Sequence, residues 1–297
     1  MKHFTALVPL SLVACLLLSA AVFAQDDKKQ ADDKKQDDKP KAEAKLFPDA
    51  NLEKVVRKYV FEKRNNDQPL TEKDVETIST ISGKGAGIKD LTGLEKCVAL
   101  ADLDLEDNQI VDLAPIKELK RLQKLNLAKN KISDIKPLAD LTGLQYLELS
   151  NNEVSDLTPL KAMENMRSLY LSGNKIKDIK PLATLTKIWS LYLDGNQVTD
   201  LSTLAKLSSL DSLSLSGNGV TDLKPLASLT EWKYLILENN KIEDLGVLVE
   251  MAKKDAGGEQ RFAPFWRIYL KGNPLSKTAQ TKQVEELTKL GGRVMIE

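Results

Sequence analysis

The sequence predicts an α/β repeat fold: a curved solenoid with parallel strands on its concave face, a helical cap at the N-terminal end and a helix–strand cap at the C-terminal end. Three observations carry this expectation. Leucine recurs at Leu105, Leu127, Leu149, Leu171, Leu193, Leu215 and Leu237, a step of 22 residues without a slip. Asparagine keeps the same step at Asn108, Asn130, Asn152, Asn174, Asn196, Asn218 and Asn240, and an eighth unit, after a step of 33, gives Leu270 and Asn273. Aspartate repeats in phase from Asp90 to Asp244. A fixed period of this length denotes a solenoid in which each unit stacks only on its neighbours.

In chain order, residues 1–24 read as a signal peptide. Lys2 and His3 start it, an apolar run follows from Phe4 to Phe23, and Val22-Phe23-Ala24 places small residues where a signal peptidase cuts. Pro9 and that cleavage site argue against a retained membrane anchor. Leu12-Val13-Ala14-Cys15 resembles a bacterial lipoprotein box, a second route in which Cys15 would be lipidated. Cleavage after Ala24 leaves no histidine and only Cys97. Imidazole-based triads, zinc sites built on His or paired Cys, and intramolecular disulfides are thereby excluded from the mature chain. Residues 25–45 alternate DDKK blocks, with seven acids and seven lysines and no branched apolar or aromatic side chain. Such a segment cannot bury enough surface to offset its ordering entropy and reads as a solvated tether.

Residues 46–90 form the N-terminal helical cap and a first partial repeat. Phe47-Pro48-Asp49 opens a helix with Leu52, Val55, Val56, Tyr59 and Val60 on one face. A second short helix begins at Thr71, with a Thr71–Asp74 capping box and a Leu70/Val75 staple. The repeats occupy residues 91–275. Within each, the strand leucines point inward, and the asparagine just past the strand turns the chain into the interior, where its amide bonds backbone groups that no ladder reaches. Each aspartate caps the turn onto the convex side, and proline at 115, 137, 159, 181 and 225 pre-sets the next dihedral. Positions such as Leu113, Ile116, Leu119 and Leu122 close the core. An insertion at about 249–264 bulges out of register, either as a ligand loop presenting Phe262 and Trp266 or, as expected here, with both packed under the cap. Residues 276–297 close the array with a helix from about Lys277 to Leu290, N-capped by Ser276, and a last strand through Val294-Met295-Ile296.

The repeated LxxLxLxxNxIxDLxPLxxL unit resembles the leucine-rich repeat family, and its 22-residue length is similar to the bacterial internalin type rather than to longer eukaryotic repeats. The helical flank before the first repeat resembles that family's cap. The resemblance implies an open interaction module; an LPxTG-like sorting signal and an immunoglobulin-like region are not in evidence, so wall anchoring is not expected.

The chain carries 43 basic and 43 acidic residues. That balance argues against nucleic acid, whose binding needs a basic excess to displace counterions. Function is expected on the outward strand positions. Tyr146, Tyr170, Tyr192, Tyr234 and Tyr269 all fall there, leaving Tyr59 as the sixth and only other tyrosine. With Glu148, Asp194, Ile236, Glu238 and Arg267 they make the candidate ligand face, since tyrosine with interspersed serine and acid groups is a binding-surface composition. Tyr170 and Tyr192 occupy equivalent places in adjacent units, so their rings should lie about 5 Å apart. The face should grade from acidic at Asp102, Asp104 and Glu106 to basic at Arg267 and Lys271. Eight or nine strands at about 4.8 Å give a face of about 40 Å. That length suits a protein segment, or as the alternative a carbohydrate or envelope polymer, better than a metabolite. A structural spacer is the third reading. A glycosidase would need carboxylates across a cleft with one raised pKa, and Asp102 with Asp104 on an open strand offers no means of raising it. The expectation is therefore an exported, monomeric, non-catalytic binding module without metal or cofactor, in the periplasm, the envelope or the medium.

Overall fold

The structure, a computed structural model, describes residues 45–262 and 264–297. The expected signal peptide, the Cys15 lipoprotein box and all of the charged tether before Lys45 lie outside them. Ten three-residue strands form one parallel sheet in sequence order, running from β1 (Thr80–Ser82) through β2 (Asp102–Asp104), β3 (Lys124–Asn126), β4 (Tyr146–Glu148), β5 (Ser168–Tyr170), β6 (Ser190–Tyr192), β7 (Ser212–Ser214), β8 (Tyr234–Ile236) and β9 (Arg267–Tyr269) to β10 (Arg293–Met295). Neighbouring strands pair in the register of the repeat, with Leu103 beside Leu125, Leu147, Leu169, Leu191 and Leu213 in turn. On the opposite side most coils make a single 3-10 turn, and proline stands in the first turn at Pro115, Pro137, Pro159, Pro181 and Pro225. Short strands on one side and bulkier turns on the other make the stack a curved solenoid.

Burial of the repeat leucines makes the core. Leu103, Leu105, Ile110, Leu113, Ile116, Leu119 and Leu122 of one coil are at most 1% exposed, and each later coil repeats the pattern. Asparagine supplies what apolar packing cannot. The Asn174 side-chain oxygen accepts from Val154 N at 2.9 Å, and its amide donates to Leu149 O and Leu171 O at 2.9 Å each. One asparagine therefore ties its own coil to the preceding one. The same bonds recur from Asn108 to Asn240, and Asn273 repeats them across the longer last step, donating to Leu237 O and accepting from Ile242 N. Aspartates 112, 134, 156, 178, 200, 222 and 244 each accept from the backbone N–H two residues on, starting the convex turn.

Two features of the coil go beyond the sequence reading. The residue before each asparagine is left-handed, with φ between 53° and 69° at Asp107, Lys129, Asn151, Gly173, Gly195, Gly217 and Asn239. The backbone sets that conformation, which is why Gly, Asn and Asp dominate the position and Lys129 is tolerated at a cost. The sheet also begins one coil earlier than the eight or nine expected strands allow. In β1 the coil has Gly83 and Ala86 where later coils have leucine and asparagine. A side chain on Gly83 would meet Val55, Ile88 and Leu105 at 3.1–3.2 Å. Helix α1 (Ala50–Arg57) fills the space of the missing leucine, and with no earlier coil to tie, asparagine has no work there.

Asp49 anchors that cap. One of its oxygens accepts from Asn51 N and Leu52 N at the start of α1, the other from Lys89 N and Asp90 N of the first coil. Partial burial opposes its charge, but those four N–H donors hold its pKa below the ordinary value. Helix α1 ends at Arg57, so Tyr59, expected on its apolar face, lies beyond it and is 40% exposed, with its hydroxyl accepting from Ser82 N on the sheet edge. Helix α2 (Glu72–Val75) starts at Thr71, where the Asp74 carboxylate accepts from the backbone N–H and hydroxyl of Thr71 at 2.6 Å and from Lys63 Nζ at 2.7 Å.

At the other end, the first half of the segment expected to bulge is helical. Helix α3 (Gly246–Ala256) replaces the 3-10 turn and buries Leu248, Val249, Met251 and Ala252. An apolar pattern long enough for three turns takes up part of the extra length, and turns and irregular chain after Ala256 lead on to β9. Trp266 is buried, and the half-buried Phe262 packs edge-on against it at 4.8 Å. Phe265, between them in sequence, is the exposed ring. A helical run beginning at Lys277 contains one π turn, Ala279–Gln283, and continues as α4 (Val284–Lys289), which leads into β10.

Two outcomes follow. Replacing Asn174 by alanine leaves buried backbone groups unpaired and should cost on the order of 1–3 kcal/mol, read as a lowered denaturation midpoint; an unchanged midpoint would remove the ladder from the account of stability. For Asp74, partial burial raises the pKa, yet the bonds from Lys63 and Thr71 outweigh it and hold the carboxyl at about 2 against an ordinary 3.8. Its stabilising contribution is thus present above the unfolded value and drains away as pH falls toward the folded one. Asp74→Asn should flatten the fall of the midpoint across that window.

Candidate functional site

Period-two alternation places every second strand residue outside the coil, and the parallel register aligns those residues into rows. The rows meet at the tyrosines. Tyr170 and Tyr192 pair directly across β5 and β6, with ring centroids 5.0 Å apart and edge-to-face. Tyr146 on β4 is two residues out of that row, on the same face, yet its ring reaches Tyr170 diagonally at 5.4 Å. Three rings thus form one contiguous surface, half-buried against each other. Burial, with Glu148 and Tyr170 nearby, pushes the Tyr146 hydroxyl up to about 12, and burial beside Tyr170 and Asp194 raises that of Tyr192. Both stay protonated at neutral pH and keep a donor available.

Glu148 lies beside Tyr170 in register and accepts from Ser150 N at 2.7 Å. Burial raises its pKa, and the nearby Glu106 adds to the rise, while the Ser150 bonds only partly offset it. Asp194 differs. Its oxygens accept from Ser172 Oγ at 3.0 Å, from Ser216 N at 2.7 Å and from Ser214 Oγ, so the carboxylate knits β5, β6 and β7 together. It positions the face beside Tyr192 and has little acceptor capacity left for a ligand. Ser212 and Ser214 on β7 are buried, being small residues flanked in register by Ser190 and Tyr192 on one side and Tyr234 and Ile236 on the other. Ile236, Glu238 and Tyr269 are half-buried, with Ile236 and Tyr269 adjacent in register. Tyr234 stands apart from the tyrosine trio and joins Arg267, whose guanidinium donates to the Tyr234 hydroxyl at 2.8 Å and lies 5.2 Å from its ring centroid.

The expected charge gradient is altered at its acidic end. Glu106 accepts from both Lys84 and Lys129 at 2.7 Å, and these bonds hold it at about 2. Asp102 has Lys124 at 3.9 Å. Neighbouring coils supply the cations, a pairing visible only once the register is known. Among the described residues no group of three or more His, Cys, Asp and Glu is placed to hold a metal ion, and Cys97 is buried, its thiol pushed up to about 12 by that burial.

Three residues outside the expected set border this face. Trp189, 48% exposed, stands one residue before β6, donates to Ser168 Oγ at 3.0 Å and has the Arg167 guanidinium 5.7 Å from its ring. The repeat alignment carries a signal for it, because neighbouring units have Gln145, Arg167, Asp211 and Lys233 at that position. Phe265 and Arg293 lie at the C-terminal end, where the period breaks and no alignment reaches.

Similarity to known proteins accords with this geometry. The family model for leucine rich repeats (two copies) matches residues 120–162, 164–206 and 208–250. The chain is similar to the crystal structure of an internalin C2 from Listeria monocytogenes at 36% identity, over 69% of this chain and 91% of that one, with a TM-score of 0.67. A leucine-rich repeat protein of Leptospira interrogans shares the fold at 22% identity, over 69% of this chain and 57% of that one, with a TM-score of 0.55. No curated protein matches the chain.

The raised Glu148 pKa generates an outcome of its own. Its charged form is disfavoured by folding, so it costs stability above its folded pKa and costs nothing below its unfolded value of 4.5. Glu148→Gln should therefore raise the melting temperature at neutral pH and leave it unchanged near pH 4; the reverse pattern would show that the carboxylate is stabilised in place.

Proposed function

Because this chain belongs to the leucine-rich repeat family in its internalin form, a family typical of protein–protein interaction modules, we propose that it is an exported, non-catalytic module that grips a protein partner with its concave face. The observation that carries this reading is the contiguous Tyr146–Tyr170–Tyr192 surface. Aromatic rings held in place by one another lose little freedom on binding, and each keeps an apolar body and a polar tip. Tyr234, Ile236 and Tyr269 extend the contact along the sheet, Glu148 supplies an acceptor, and Asp194 holds its strands in place. Ten strands at about 4.8 Å make a face of about 43 Å, which matches a folded surface or a long segment rather than a small metabolite. Asp102 and Asp104 are half-buried outward residues of one three-residue strand, and the reading assigns them no acid–base step.

The apolar run and small-residue cleavage pattern of residues 1–24 support the export part of this reading. No helix among the described residues is long and apolar enough to cross a membrane.

The test is capture from envelope and culture fractions with the chain as bait, beside a Tyr170→Ala/Tyr192→Ala variant with an unchanged denaturation profile. A protein held by the native face and lost from the variant is the expected result. Equal capture by both would place the ligand face elsewhere, and capture of a glycan alone would turn the reading to an envelope polymer.

A further inference from the structure

At the C-terminal end of the concave face, Arg267 on β9 and Arg293 on β10 stand directly beside each other in register. Like charges in that arrangement repel and destabilise the pair of strands. Elsewhere on this sheet crowded charges are matched: Lys84 and Lys129 share Glu106, Lys124 faces Asp102, and Lys233 holds Asp211 at 2.9 Å. Arg267 and Arg293 make no ion pair among the described residues. Each is braced on an aromatic ring instead, Arg267 at 5.2 Å from Tyr234 and Arg293 at 4.8 Å from Phe265. Arg267 spends one N–H on the Tyr234 hydroxyl, and ring contact otherwise holds each guanidinium in place while leaving its remaining in-plane N–H donors free.

The brace under Arg293 is itself held at a cost. Phe265 is 62% exposed and has φ of +57°, a left-handed conformation that a bulky side chain rarely adopts. Strain of that kind persists where the surroundings impose it and concentrates at binding sites. The two arginines, the two rings, Lys233 and Pro264 line a cleft of about 260 Å³ that opens onto the tyrosine-bearing sheet.

We propose that this cleft binds a carboxylate of an acidic segment of the protein partner, clamped between the Arg267 and Arg293 guanidinia with the Phe265 ring against its aliphatic stem. The identity of the occupant rests on the protein-binding reading of the concave face; the anion site does not. Two planar forks lining one cleft offer donors to both oxygens of a carboxylate. The outward residues of β5 to β8, neutral Ser, Tyr and Ile, suit uncharged side chains, so one partner segment with an acidic residue at its end satisfies both regions.

The experiment is an NMR titration of the full chain, following the arginine side-chain Nε–Hε signals. The probes are a Gly/Ser hexapeptide with one glutamate, its glutamine counterpart, inorganic phosphate and glucuronate. The glutamate peptide should shift the Arg267 and Arg293 signals saturably at about millimolar concentration, and the glutamine peptide should not. Arg293→Gln, at an exposed position, should weaken the glutamate peptide about tenfold or more without lowering the denaturation midpoint, and Arg293→Lys, which keeps the charge but loses the fork, should recover only part. Should Arg267→Gln disturb the Tyr234 contact, the Arg293 pair still decides. Absence of any shift, or an equal shift with the glutamine peptide, overturns the proposal. So does saturation by phosphate or glucuronate at concentrations well below those of the peptide. Tyr170→Ala/Tyr192→Ala should leave the titration unchanged, so failure of the tyrosine face and failure of this cleft are told apart.

Discussion

One side-chain amide per coil, bonded to the coil before it, is the interaction on which this molecule depends. Leucine burial supplies most of the driving force, but apolar packing has no direction and would tolerate sliding between coils. The asparagine does have direction. It accepts from one backbone N–H and donates to two or more carbonyls, and its partners lie in both coils. Those groups are buried and outside any strand ladder, so without the amide each would cost free energy comparable to a lost hydrogen bond. The left-handed residue before each asparagine is the backbone consequence, since the chain must reverse inward there to bring the amide to its partners.

That constraint also frees the concave face. Because leucines and asparagines hold the stack from inside, outward strand residues are released from core duty and carry chemistry that the fold would otherwise reject. Glu148 keeps a raised pKa beside a tyrosine trio. Arg267 sits beside Arg293. Asp194 shows the opposite use of the same freedom, spending its acceptors on Ser172, Ser214 and Ser216 and so stiffening the floor on which Tyr192 stands. The face is a mixture of rigid rings, internally satisfied acids and a few unmatched charges.

At the two ends, coils lack a neighbour, and different solutions appear. The first coil replaces leucine by Gly83 and lets Val55 of α1 fill the gap, while Asp49 clips the helix to the coil through four backbone donors. The last full coil exchanges its 3-10 turn for α3, and Trp266, α4 and β10 cover what remains. Each end therefore departs from the repeat where an open core must be closed.

The solenoid, its asparagine column, its capping aspartates and the spacing of Tyr170 and Tyr192 were all legible in the chain, because each depends on a step of 22 residues that writes one geometric rule many times. Local patterns sufficed too for the Thr71–Asp74 cap and for the packing of Trp266. The rest lay beyond periodicity. The first strand was hidden because a helix distant in sequence supplies its missing leucine. The neutralised Glu106, the tied Asp194 and the diagonal contact of Tyr146 with Tyr170 depend on which side chains meet across strands, and a repeat alignment names the row without the rotamers. The insertion's helix, the exposed Phe265 and the Arg267–Arg293 neighbourhood arise where the period fails. Repetition encodes stacking in the sequence, whereas charge matching and ring placement are settled by contacts between coils and exist only once the chain is wound.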